Sequence, residues 1–583
     1  MLDDHIAFIR NANELAPYLP SLLDARVLAV DLETTGLDPH VHRIRLIQLA
    51  TEGMPALVID AFTFLTEDGA RLLREVLATP AVKVFQNAKF DLQFLMRMNL
   101  CPAPLFDTML AGRLLYKPGM PRRANLETLA DVYLSEKLDK QEQKGNWTVQ
   151  SLTPAQIQYA AKDAEILQSL RKAMIPLLVE ADMREIAEIE FSCARAIAQI
   201  EFHGIHLDTE KWRMLTLKTM TERDQALEKL YAYTGRPIAQ TTLWGKDKIT
   251  SLNLDSNPYV LNLLHRYGIP VSATAKSDLY SYKDHPLVQA LSAYRKASKA
   301  VSAILQPVSV SVQPATGRLH PQYGQITAYS GRMSCGNPNI QQIPRDTSFR
   351  ACFTAPLGRR LIIADYSQIE LRVAAQIAQD GRMLAAYRKQ DDLHTLTASL
   401  LLEKPVDRID KKDRQAAKAV NFGLIYGMGA VGLQQYARQS YGVEMSLEQA
   451  GQFRTKFFEA YRGIAQWHHR LMEFPAKEGR TLCGRRFMFS GKSSLPILSN
   501  SPVQGTAADI IKKALGLLAK QLDGTDTWLI GVVHDEILLE CPAVEAQSMA
   551  EMLKTIMEEA SNTILQQVPA LVEAKIASSW AEK

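Results

Sequence analysis

Two apolar strands that end in acid constrain this chain more than any other feature. In RRLIIADYSQIELRVAA an apolar strand ends at Asp365 and a helix follows immediately. In IGVVHDEILLE the pattern is strand, tight turn, strand, with Asp535 at the turn. A fold that joins these strand ends sets two carboxylates side by side, ready to hold two hard divalent cations through oxygen. Phosphoryl transfer needs little covalent chemistry, much charge neutralisation and in-line positioning. The triplet HDE alone carries almost no information, whereas the octapeptide DYSQIELR carries a great deal.

The first ~180 residues alternate strands and helices and predict an α/β domain with a mixed sheet. RVLAVDLETTGLD begins as a strand, IRLIQLAT, PALVID and VKVFQNA are three more, and GARLLREVLA and AAKDAEILQSLRKAMIPLLVEA are helical. Asp31 and Glu33, i,i+2 on a strand, point to one face. Asp91 follows another strand, and Tyr159 and Asp163 stand i,i+4 on one helix face. Four carboxylates from separate elements form a second candidate site for two divalent cations. From about residue 185 to 310 the pattern is helical, broken by TGRPIAQTTLWGKDKITSLNLDSNP. Strand signals surround VQPATGRLHPQYGQ, a helical block runs to about 475, and the chain closes on two strands and an amphipathic helix.

One helix carries an unusual stripe. In DRQAAKAVNFGLIYGMG, Arg414, Lys418, Phe422 and Tyr426 recur every four residues. Each step turns about 400° and rises about 6 Å, so the stripe curls slowly over roughly 18 Å. Read alone, it also fits an ordinary amphipathic helix with a snorkelling charged end.

Bulk properties set broad limits. A chain of 583 residues exceeds one ordinary domain. No apolar run approaches 18 residues, so no membrane span is expected. MLDDHIAFIRNANEL lacks the core of a signal peptide and the acid-poor look of a transit peptide, which points to the cytoplasm. Cysteines at 101, 193, 335, 352, 483 and 541 form no CxxC pair, against zinc and disulfide frameworks. Lys and Arg number 67 against 63 acids, a net charge of +4 that leaves nucleic-acid binding to local patches.

With these motifs in hand, the first region resembles the DEDDy 3′–5′ exonucleases, an RNase H-like fold, over roughly residues 10–180. The resemblance implies metal ligation by Asp31, Glu33, Asp91 and Asp163, with Tyr159 aligning the attacking water and Asn87 holding a frayed 3′ end. Asp107 in LFDTML reads instead as a helix-start residue. DYSQIELR, the four-spaced helix and VHDE together resemble motifs A, B and C of the family A DNA polymerases, in the Klenow-fragment arrangement with no 5′-nuclease domain. The implied architecture is an exonuclease domain over 1–184, followed by a right-hand polymerase over 185–583. Its thumb spans about 185–320, its palm about 321–380 and 480–583, and its fingers about 381–479.

The resemblance also implies roles. Asp365 and Asp535 bind two Mg2+ ions, replaceable by Mn2+, with the carbonyl of Tyr366 as a further ligand and Glu536 in support. Arg414 and Lys418 meet the triphosphate, and Lys418 protonates the departing pyrophosphate. Phe422 packs by sugar and base, Tyr426 stacks near the templating position, and Gln368 and His394 contact the incoming nucleotide. Glu370 crowds the ribose 2′ position and pairs with Tyr426, favouring deoxynucleotides. Phenylalanine at 422, lacking a phenolic hydroxyl, predicts poor use of dideoxynucleotides. Arg332 reaches the minor groove of the terminal pair, where acceptors are present for any correct pair. Asn339, Gln341, Gln342, Asn500, Gln504 and His534 are further DNA contacts.

One position departs from the bacterial pattern. Pro496 stands where relatives often carry an arginine four residues before the asparagine of SNSPVQGTAADI, which removes a charge and an N–H from the duplex grip. The expected partners are primer-template DNA and deoxynucleoside triphosphates, with a monomeric chain and no insertion for a processivity factor. The alternative is a 3′–5′ exonuclease whose polymerase half only binds primer-template.

Overall fold

The computed structural model describes residues 5–138, 145–235, 239–241, 247–249, 253–328, 330–474, 476–489 and 493–583. Residues 236–238, 242–246 and 250–252 of the break TGRPIAQTTLWGKDKITSLNLDSNP lie outside the described residues.

The N-terminal region is built on one mixed sheet. Its strands are β1 (Ile6–Ile9), β2 (Val27–Thr34), β3 (Ile44–Ala50), β4 (Ala56–Asp60), β5 (Val82–Phe85) and β6 (Leu105–Asp107), in the order β1-β4-β3-β2-β5-β6. β2 runs antiparallel to β3 and parallel to β5, which puts it mid-sheet. Every residue of β3 is buried, and most of its side chains are apolar. The two polar side chains there are the exception, and Arg45 is ion-paired with Asp60. Helix α1 (Ala88–Met96) follows β5, and α2 (Pro154–Glu180) opens with a Thr153/Gln156 capping box. Ile157, Ala160, Ala161, Ala164 and Leu167 form the buried stripe of α2, laid across β2, β3 and β4.

Helix α3 (Arg184–His203) leads into a long pair, α4 (Thr209–Thr234) and α5 (Pro286–Ala300), which pack on each other. A second sheet then forms around β7 (Arg359–Tyr366). The chain continues through α6 (Ile369–Ala378), α7 (Leu393–Leu402), α8 (Lys411–Ile425), α9 (Ala430–Tyr441) and α10 (Leu495–Gln521). It returns as β8 (Trp528–Val533), β9 (Glu536–Pro542), α11 (Ala546–Ile564) and β10 (Val572–Ala577).

The sheet order is β8-β9-β7-β10, all antiparallel, with α11 against β7 and β10 and α3 against β8. Two features differ from the sequence reading. α3 falls in the segment read as the start of the thumb, yet it packs on α10 and β8. The chain does not close on the amphipathic helix α11, because β10 adds an edge strand. Its charged and exposed residues (Glu573, Lys575, Ile576) hide the period-2 signal.

Two tertiary features matter below. Glu190 of α3, Arg485, and Asp509 and Lys512 of α10 form a fully buried charge cluster. From it, Nζ of Lys512 donates to the carbonyls of Gln325 and Gly331 at 2.8 Å each. Gly331, at φ 76°, faces Arg485 where a Cβ would lie 2.6 Å from Nε, so only glycine fits before Arg332. Separately, Tyr280, between α4 and α5, reaches the α9 region. The Arg438 guanidinium lies 3.8 Å over its ring, and its hydroxyl donates to Glu444 at 2.8 Å. Among the described residues, no helix is long and apolar enough to cross a membrane.

Two candidate active sites

In the first site, β2 presents Asp31 and Glu33, and α2 presents Asp163. Oxygens of these three carboxylates all lie within 4.8 Å of one another. Asp91 sits buried in the first turn of α1, outside that triad. Burial, and then the charge of Asp31, holds its carboxyl well above the usual range. Burial and the neighbouring Asp163 carboxylate raise the Tyr159 phenol far above its ordinary value, so Tyr159 stays a hydrogen-bond donor to Asp163. Three clustered carboxylates repel one another without a cation, and their all-oxygen donor set fits a hard divalent ion.

Asn87 precedes α1 in a left-handed conformation, φ 61°, and its backbone amide donates to Asp107. Asp107 also accepts from the amides of Ala88 at 2.8 Å and Leu110 at 3.1 Å. It is a helix cap tying two elements together, in line with its sequence context.

The second site is a cleft of about 520 Å3. The register sets Asp365 opposite Glu536 on β9 and Glu573 on β10. A two-residue turn, His534 and Asp535, joins β8 to β9, with His534 left-handed at φ 59°. Burial, and then the charge of Asp365, pushes the Asp535 carboxyl up to about 7. Oδ1 of Asp365 is buried with no hydrogen-bond partner among the described residues. A partnerless carboxylate oxygen beside a desolvated carboxyl fits a bound cation. The Tyr366 ring is anchored in the core, its hydroxyl donating to the carbonyl of Met557 at 2.5 Å.

The opposite wall comes from α8, which brings Arg414, Lys418 and Phe422 to the cleft, with His394 beside them from α7. Nε of Arg414 bonds Asp392, the cap of α7, at 2.6 Å. Burial lowers the His394 imidazole to about 4 and keeps it neutral. Glu370, in the first turn of α6, links both walls. It accepts from the Tyr426 hydroxyl at 2.5 Å and is ion-paired with Arg332. Arg332, Gln341, Gln368 and His534 also line the cleft.

Four residues expected at DNA lie off this lining. Asn339 caps its own short helix, accepting from the Gln341 amide at 3.1 Å, and Gln342 ends that helix. Asn500 and Gln504 continue along α10 from Ala508 and Ile511, which do line the cleft. Pro496 occupies the first turn of α10, where a missing N–H is harmless. Glu536 is 3% exposed and tied to Trp580 Nε1, Lys583 Nζ and, at 3.6 Å, Arg350.

Sequence reasoning missed Lys583, whose Nζ lies 2.6 Å from Asp365 Oδ2, and Arg345 and Tyr441 in the cleft lining. None stands in a motif; tertiary packing alone brings them in.

Two carboxylate centres on two sheets, one facing a helix of cations and aromatics, define a phosphoryl-transfer enzyme with two activities. Comparison with known proteins agrees. Residues 251–582 match DNA polymerase family A, and residues 6–178 match a 3′–5′ exonuclease family. The DNA polymerase I of Aquifex aeolicus is 34% identical over 600 residues, covering 99% of each chain. That of Pseudomonas aeruginosa is 31% identical over 97% of this chain and 64% of its own, so this chain spans about two-thirds of that relative. A solved structure, the POL domain of Pol1 from M. smegmatis in complex with DNA primer-template and dNTP, superposes with a TM-score of 0.82 at 25% identity over 99% of both chains. The chain belongs to the family A DNA polymerases: it is a DNA-directed DNA polymerase with a 3′–5′ exonuclease domain.

Proposed function

We propose that the cleft between β7 and α8 extends a DNA primer with deoxynucleotides, and that the Asp31–Glu33–Asp163 cluster excises a mispaired 3′ end. In this reading residues 1–184 form the exonuclease and 185–583 the polymerase, with α4 and α5 as the body of the thumb. The observation that carries the polymerase assignment is the partnerless, buried Oδ1 of Asp365 beside desolvated Asp535, faced by Arg414 and Lys418.

Magnesium, or manganese in its place, would be held by Asp365, Asp535 and the Tyr366 carbonyl in one site and by Asp31, Glu33, Asp91 and Asp163 in the other. It would supply activation of the attacking oxygen and neutralisation of phosphate charge.

The chain's own groups do the rest. Arg414, braced by Asp392, and Lys418 hold the triphosphate, and Lys418 gives a proton to the departing pyrophosphate. Phe422 packs against the sugar, while Glu370, fixed by Tyr426 and Arg332, fills the space a 2′-hydroxyl would need. Gln368 and His394 face the nucleotide. Arg332, Gln341 and His534 face the primer terminus, with Asn339, Gln342, Asn500 and Gln504 further along the duplex. Glu536, already engaged by Trp580, Lys583 and Arg350, steadies the turn rather than binding metal. In the exonuclease, Tyr159 orients the attacking water and Asn87 the frayed end.

Primer extension with matched and mismatched 3′ ends tests both sites. Asp365→Asn and Asp535→Asn abolish extension and leave excision, whereas Asp31→Ala leaves extension and removes excision. Extension that survives at Asp365→Asn overturns the polymerase assignment.

A further inference from the structure

Behind the cation stripe of α8, four side chains form a hydrogen-bonded chain from the core to the cleft. The hydroxyl of fully buried Tyr461 lies 2.7 Å from Oγ1 of Thr397 on α7. Thr397 Oγ1 is 3.0 Å from Oδ1 of Asn421 on α8, and Nδ2 of Asn421 is 2.9 Å from Nδ1 of His394. Thr397 and Asn421 are as buried as Tyr461, and none of the three lines the cleft. His394 does, with Nδ1 engaged and Nε2 left to face it.

A neutral imidazole donates from one nitrogen and accepts at the other, and the partner of the first fixes the role of the second. The protons can be counted outward from the core. The Thr397 hydroxyl has two acceptors within reach, the carbonyl of Leu393 at 2.7 Å and Oδ1 of Asn421 at 3.0 Å. With that hydrogen shared between the Leu393 carbonyl and Asn421 Oδ1, the Tyr461 hydroxyl donates to the Thr397 oxygen, and the amide stands with Oδ1 toward Thr397 and Nδ2 toward His394. An amide held at Oδ1 offers only N–H to His394, so Nδ1 must accept.

We propose that Asn421, oriented by Thr397 and Tyr461, is a positioning residue that locks His394 as its Nε2–H tautomer and so aims a neutral donor at the phosphates of the incoming nucleotide. The inference rests on the placing of His394 at the triphosphate made above. It adds the residues that set the direction of the imidazole. A neutral donor binds the anion without a third positive charge crowding Arg414 and Lys418.

NMR of the whole chain with 15N-labelled histidine, without ligand, reads the tautomer directly. The His394 signals, assigned by their loss in His394→Ala, show Nδ1 unprotonated and Nε2 protonated. In Asn421→Asp, whose carboxylate only accepts, Nδ1 becomes protonated. A protonated Nδ1 in the unmodified protein overturns the proposal. In primer extension, Asn421→Leu and Thr397→Val each raise the deoxynucleotide KM roughly threefold to tenfold, with kcat changed much less. Thr397→Ser restores the original KM, which a mere loss of packing would not. In a His394→Ala background Asn421→Leu adds nothing; a full additional effect there overturns the proposal, since asparagine would then act without the imidazole. A His394→Ala protein with unchanged nucleotide KM removes the triphosphate assignment, and with it the functional half of the proposal, in a measurement separate from the tautomer.

Discussion

Nζ of Lys583 lies 2.6 Å from Oδ2 of Asp365, and the same ammonium also pairs with Glu536. A lysine thus neutralises one of the two carboxylates assigned to metal. The contact is built by packing: Trp580, fully buried, donates to Glu536 and receives the Arg350 guanidinium 4.2 Å over its ring. Lysine and cation share one carboxylate, the ammonium on Oδ2 and the ion at Oδ1, and like charges at that spacing repel. Lys583→Met therefore lowers the magnesium concentration for half-maximal extension, roughly threefold to tenfold, as a magnesium titration at saturating substrates reads. An unchanged midpoint would show that the ammonium moves aside at no cost.

Asp535 makes stability depend on pH when no divalent ion is present. Its folded carboxyl titrates near 7, against about 4 in an unfolded chain, so between these values the folded state holds the extra proton. Stability is full below about pH 4 and falls as pH rises through 7, by at most on the order of 4 kcal/mol. Asp535→Asn removes the loss. In chelator, urea denaturation finds it more stable than the unmodified protein at pH 8 and equal to it near pH 4.5, although it cannot extend a primer.

Glu370 accepts from Tyr426 while paired with Arg332, so its position is fixed from two sides. Glu370→Ala opens the space beside the ribose 2′ carbon. Ribonucleotide incorporation, measured as kcat/KM against the matching deoxynucleotide, rises at least about tenfold. Glu370→Gln, which keeps the volume, changes discrimination much less.

Lys512→Met leaves Arg485 alone to balance the buried Glu190 and Asp509 carboxylates and frees the carbonyl of Gly331. Losing one partner of a buried charge pair costs about 3–5 kcal/mol, a drop that urea unfolding reads directly. Because Gly331 precedes Arg332, primer-template affinity falls as well.

Much of both sites could be read in the sequence because the signals are local. Asp31 and Glu33 share a face through the two-residue period of a strand, and Tyr159 and Asp163 through the i,i+4 spacing of a helix. Asp535 sits in a turn short enough to be spelled by its own flanks. Asn421 escaped notice for the converse reason: one residue off the Phe422 stripe, it faces the core, and only the approach of α7 makes it a partner of His394. Asn339 has a duty that its sequence context does not show, since its Oδ1 caps its own short helix. Lys583 pairs with a residue 218 positions away, and nothing in its neighbourhood advertises that.

The Tyr280 bridge to Arg438 and Glu444 has a topological consequence. The backbone runs from the β7 sheet out through α4 and α5, Tyr280 crosses to the α9 region, and the backbone returns to the same sheet. Among the described residues, the two contacts of Tyr280 help close that circuit without a covalent bond. One cation–π contact and one exposed hydrogen bond together are worth only about 1–2 kcal/mol, so the link parts and re-forms readily. Any duplex held between α4, α5 and the α9 region would have two ways out, past an end or through the parted latch, and the Tyr280 contacts bear on the second.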